Sequence, residues 1–76
     1  MSAVDVVVAT FRGQAALDAG RAQVEQSADA TLAYVDDAVL TLAVEPVGIA
    51  SEELRTRLAA LDGVDAAYVK PPDALP

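Results

Sequence analysis

Asp29–Val44 reads DATLAYVDDAVLTLAV. Two apolar, β-branched runs, Thr31–Val35 (TLAYV) and Val39–Val44 (VLTLAV), lie on either side of the acidic Asp36-Asp37-Ala38. Runs of this kind joined by two or three polar residues predict an antiparallel hairpin. The connection lacks the glycine that the tightest hairpin turns favour. A hairpin in the middle of a chain leaves few ways for the flanking segments to close a sheet, so its neighbours decide the architecture.

Upstream, Val4–Phe11 (VDVVVATF) is apolar in both registers of its alternation, the pattern of a strand covered on both faces. Arg12-Gly13 interrupts it. Gln14–Ser27 then brings Leu17, Gly20, Val24 and Ala28 round near the helical period, and Ala15, Ala16, Ala19 and Ala22 let such a helix lie close to a sheet. Downstream, Glu45-Pro46 ends the hairpin, and the loop Val47–Ala50 delivers Ser51 as the expected N-cap of a second helix. Glu52 and Glu53 fall in its first turn, where each carboxylate gains about 0.3–1 kcal/mol from the helix dipole. Leu54, Leu58 and Leu61 form its buried stripe, and Gly63 is the expected left-handed residue beyond its end. Val64–Val69 reads as a last strand, which Pro71-Pro72 prevents from continuing inside a sheet.

The order β-α-β-β-α-β predicts a ferredoxin-like α+β fold, a four-stranded antiparallel sheet with two helices on one face. Right-handed crossovers put the first and third strands at the centre and the fourth at an edge. Residues 1–76 form one domain, with 70–76 as an extended C-terminal tail. A domain of this length buries only about 60% of the surface of its unfolded chain, so the core is small.

Composition narrows the function classes. The chain is 54% hydrophobic, yet its apolar runs fall far short of the roughly 20 residues of a membrane span, and no membrane partner is expected. It contains neither cysteine nor histidine. Disulfides, thiolate or imidazole metal ligands and the Ser-His and Cys-His dyads are therefore unavailable. The net charge is −7, Lys70 is the only lysine, and the four arginines are scattered, which argues against a nucleic-acid partner. Only Phe11, Tyr34 and Tyr68 could offer aromatic platforms to single-stranded bases. Met1–Asp5 shows no signal-peptide pattern, so the protein is secreted only if such a segment has been removed and is otherwise cytoplasmic.

No residue pair reads as catalytic. Asp36 and Asp37 are sequence neighbours on a strand connection and read as a solvated turn, and Glu52-Glu53 reads as a helix start. Phe11–Gln14, with one arginine and one glycine ahead of a helix, reads as a plain connection rather than an anion site. The expectation is a binding protein, not an enzyme, without cofactor or metal. Its binding surface is the sheet face that the helices leave open: Val4, Val6 and Val8 or Val7 and Ala9 from the first strand, and Leu40, Leu42 and Val44 or Val39, Thr41 and Ala43 from the third. In either register that face is apolar enough to meet another protein.

Tyr34-Val35-Asp36-Asp37-Ala38, Thr41-Leu42, the leucine-bearing helix, Gly63-Val64, Ala67-Tyr68-Val69 and the proline- and aspartate-bearing tail together resemble the propeptides of subtilisin-like serine proteases and the related free-standing inhibitors. The resemblance runs from Val4 to Asp73. It implies a domain that docks its sheet face on a subtilisin-like serine protease, with Tyr34, Asp36, Asp37, Tyr68 and Lys70 as docking residues. It also implies that Asp73, Ala74, Leu75 and Pro76 enter the substrate cleft, inhibiting the protease and templating its folding. Family members commonly carry acidic residues after the last strand, whereas this chain has Lys70 and Pro71-Pro72. The alternative is a ferredoxin-like regulatory or oligomerising module without a protease partner, pairing as a homodimer through the sheet face.

Overall fold

A computed structural model describes residues 5–70. The elements follow the expected order: β1 (Val6–Phe11), α1 (Gln14–Gln26), β2 (Ala30–Asp36), β3 (Thr41–Pro46), α2 (Ser51–Ala59) and β4 (Val64–Lys70). All strand pairs are antiparallel and the sheet order is β2-β3-β1-β4, the ferredoxin-like α+β arrangement with β1 and β3 central. No helix among the described residues is long and apolar enough to cross a membrane.

The core is the helix-covered face. Val7, Ala9 and Phe11 of β1 and Leu42 and Val44 of β3 are buried there beneath Leu17 and Val24 of α1 and Leu54 and Leu58 of α2. α2 stops at Ala59 with Ala60 as its C-cap, earlier than expected, so Leu61 packs on this cluster from just beyond the helix and Gly63 lies three residues past the cap rather than directly after it. Each fully buried valine or leucine gains about 1.5–3 kcal/mol over its exposed state. Gly20 is required by packing: a Cβ there would stand 2.5 Å from the Phe11 ring, so α1 reaches the sheet only where it has no side chain. Gly63 takes a φ of 81°, in the left-handed region, and a Cβ on it would stand 2.4 Å from Cβ of Ala16.

The structure corrects four further local expectations. β1 has a helix layer on one face only; Val8, on the other face between Ala43 and Tyr68, is nevertheless buried. The hairpin connection is not Asp36–Ala38 but 37–40, and β3 begins at Thr41. Without glycine for a tight primed turn, Asp36 Oδ1 accepts a hydrogen bond from the Ala38 N–H (3.0 Å), and Leu40 supplies the positive φ, 53°. The Leu40 carbonyl accepts from the Phe11 N–H at 2.9 Å, which ties the strained residue to β1. Ser51 does not cap α2: Ala50 holds that position, while Ser51 Oγ donates to Asp5 Oδ2 at 3.2 Å and links the helix start to the beginning of β1. α1 ends at Gln26, one residue earlier than its pattern: Ser27 takes an extended backbone (φ −85°, ψ 136°) while its Oγ donates to the Gln23 carbonyl at 2.8 Å, and Ala28 lies outside the helix, exposed.

Both edge strands carry a bulge. In β2, Leu32 faces Val44 and Tyr34 faces Ala43, leaving Ala33 as the extra residue. In β4, Phe11 faces Val64 and Thr10 faces Ala66, leaving Asp65 as the extra residue. A bulge reverses the alternation beyond it. Ala30, Leu32 and Val35 of β2 and Val64, Ala67 and Val69 of β4 therefore all reach the core.

Candidate functional site: the open face of the sheet

The same two bulges compose the opposite face. Beyond Ala33, Tyr34 and Asp36 turn away from the helices; beyond Asp65, so do Ala66, Tyr68 and Lys70. β1 adds Val6, Val8 and Thr10, and β3 adds Thr41, Ala43 and Glu45. The open face thus takes the Val6, Val8 and Thr41, Ala43 registers of the two alternatives, while the Val7, Ala9 and Leu42, Val44 registers supply the core.

Cross-strand register arranges these side chains in rows. Tyr34 stands opposite Ala43, Ala43 opposite Val8, and Val8 opposite Tyr68, so one row crosses all four strands. Tyr34 is 56% exposed and Tyr68 50%, whereas Val8 between them is only 8% exposed. The row is a floor of Val8 and Ala43 between two aromatic walls, set about 14 Å apart by three strand spacings. The next row is Asp36, Thr41, Thr10 and Ala66. At the other end, Lys70 pairs with Val6 and Glu45 with Thr31.

Electrostatics on this face are local. The Tyr34 hydroxyl donates to Asp36 Oδ2 at 3.1 Å, and this hydrogen bond, with the adjoining carboxylate charge, raises the phenol pKa above its ordinary value. Asp36 thereby shapes the hairpin with one oxygen and braces Tyr34 with the other. Lys70 makes no ion pair among the described residues, whereas Arg21, Arg55 and Arg57 all do.

Four of the five docking residues inferred from the sequence, Tyr34, Asp36, Tyr68 and Lys70, come together on this face. Asp37 does not join them. Its Oδ1 accepts from Gln14 Nε2 at 3.1 Å, which fastens the hairpin connection to the start of α1. Asp73, Ala74, Leu75 and Pro76 lie outside the described residues. The sequence named Val8, Thr41 and Ala43 within its alternative registers but gave neither Thr10 nor the alignment of the four into one floor, because alignment follows from register, which composition does not encode.

The helix side offers less. A depression of about 180 Å³ between the helices is lined by Val24, Ala30, Leu54 and Leu58, and the Arg57 guanidinium on its rim is held by Asp29 (2.6 Å) and Glu53 (2.7 Å). Both of its terminal nitrogens thus already donate within the fold.

Comparison with family models, with curated proteins and with solved structures finds no match to this chain.

Proposed function

We propose that this domain is a propeptide-like inhibitor, and folding template, of a subtilisin-like serine protease. The observation that carries the reading is the composition of the open face: Tyr34 and Tyr68 flank a floor of Val8 and Ala43 on the side without helices. Aromatic side chains around a small apolar floor suit a surface that packs on the ridges of another protein. β4, which bears Tyr68, is an edge strand, and residues 71–76 follow it directly.

In this reading the face provides the docking area and the tail provides the inhibition. An extended tail pairs with the edges of a protease cleft through main-chain hydrogen bonds, and its alternate side chains fill subsites. Asp73, Ala74, Leu75 and Pro76 are the occupying residues. Pro71 and Pro72 reduce the conformational freedom lost on binding. The protein itself performs no chemistry.

The test is inhibition of a panel of subtilisin-type proteases by the whole chain and by a form lacking Asp73–Pro76. The whole chain should inhibit at least one protease at about 1 µM or below. The shortened form should lose most of that inhibition with an unchanged circular dichroism spectrum and thermal midpoint. A panel left fully active by the whole chain would sink the proposal in favour of a regulatory module. Equal inhibition by both forms would remove the tail from the mechanism.

A further inference from the structure

The open face is charged at two places that matter to a second copy of itself. Lys70 stands at the outer end of β4, in the row of Val6; Asp36 stands on the opposite edge strand, in the row of Thr10. Three strand spacings of about 4.8 Å separate their edges, and four residue rises of about 3.4 Å separate their rows, about 14 Å in each direction. The two charges therefore occupy diagonally opposite corners of a nearly square patch. The other corners are Thr31 and Ala66, which are uncharged. The patch holds two acids, Asp36 and Glu45, and one base, Lys70, so it is close to neutral on a chain of net charge −7.

We infer that this face pairs weakly with the same face of a second copy, with the two sheets crossed at about a right angle and Lys70 of each copy against Asp36 of the other. A two-fold axis lying between two square faces has four simple settings. Along the strands it lays Lys70 over the uncharged Thr31 corner, one strand spacing to the side of Glu45, with Asp36 over Ala66, and across the strands it lays Lys70 over the Ala66 corner; neither sets an acid directly opposite Lys70, and covered charges without facing partners are costly. Along one diagonal it lays Lys70 on Lys70. Only along the Thr31–Ala66 diagonal does it produce two Lys70–Asp36 pairs at once. That setting also lays Tyr34 of one copy over Val6 and Glu45 of the other, and Tyr68 over Thr10 and Thr41. Crossed packing near 90° is one of the two arrangements that sheet faces favour.

The patch covers about 400 Å² per copy with side-chain overhang, against roughly 800 Å² per partner in a standard stable interface. Association of so small a face is weak and belongs to high concentration. Pairing covers Tyr34 and Tyr68, so a stored inhibitor would uncover its docking face on dilution; this consequence alone rests on the protease reading.

Sedimentation equilibrium of the whole chain from about 10 µM to 1 mM tests the pairing without any protease, so its outcome is independent of the inhibition assay. The weight-average mass should climb from the monomer toward the dimer. Lys70→Glu should lower the association constant at least about tenfold, and Asp36→Asn should lower it several-fold. The exchanged pair Asp36→Lys with Lys70→Glu should restore it. Circular dichroism checks that each variant folds; if the exchanged pair does not, the two single variants still decide. A wild-type mass that stays monomeric at 1 mM overturns the inference. So does association that Lys70→Glu and Asp36→Asn leave unchanged, which would place the contact on a strand edge or on the helices.

Discussion

The two faces of one sheet differ sharply in what they bury. On the helix side, Val7, Leu42 and Val44 are wholly buried, and Gly20 lets α1 settle on the Phe11 ring. On the open side, the same strands present Thr10, Thr41, Ala43 and Val8, with Tyr34 and Tyr68 half exposed. Neighbouring residues such as Leu42 and Ala43 thus serve different ends. Leu42 is part of the buried core; Ala43 keeps the open surface low. Core and open surface are separated by the strand alternation itself, so changes on one face should leave the other largely intact.

The strongest way to break this division is Leu42→Ala. With its side chain fully buried, the loss should be about 2–5 kcal/mol, read from urea denaturation. If Tyr68→Ala cost as much, the contrast between the faces would fail.

Gly63→Ala probes the helix layer through its backbone. A left-handed φ and a new Cβ crowding Ala16 should together cost about 2 kcal/mol or more. Retention of full thermal stability would show that the α2–β4 connection is not held against α1.

Tyr68→Ala should change stability by less than about 1 kcal/mol, since half of the side chain already meets water. Its effect belongs on binding: inhibition of a sensitive protease should fall about tenfold or more, as expected for an aromatic anchor. A variant that inhibits like the parent would move the docking surface elsewhere.

The smallest effect concerns Tyr34. Its pKa is raised in the folded chain by the hydrogen bond to Asp36, so the neutral phenol is the favoured form. The associated stability is fully present below the unfolded tyrosine pKa, near 10, and is lost as pH climbs through the higher folded value. Ultraviolet difference titration should show Tyr34 ionising above the ordinary tyrosine range. Asp36→Asn should bring it back toward the ordinary value; an unmoved titration would mean that the hydrogen bond does not form in solution.

Much of this was legible from residue order alone. The Asp36-Asp37 connection, the glycine Gly63 ahead of the last strand and the leucines of α2 reveal six elements in a ferredoxin-like order, because periodicity and turn chemistry are local properties. The limits of the hairpin were less legible. Nothing in Leu40 announces a left-handed backbone; it adopts one because the closing strands demand a turn that no nearby glycine supplies. Ser51 has the chemistry of a cap but lies one position too late, beside Asp5.

The candidate face shows the same boundary more sharply. Straight alternation through β2 would set Tyr34 and Asp36 on the side of Ala30 and Leu32, and through β4 it would set Tyr68 and Lys70 on the side of Val64. The bulges at Ala33 and Asp65 reverse both. The sequence by itself determined the elements, their order and the apolar stock of the core. Only the tertiary structure decided which way the tyrosines and charges of the edge strands point. The reason is physical: placing Asp36 in the core would cost more than the ladder hydrogen bonds disrupted at a bulge, and that balance exists only once the central strands are paired.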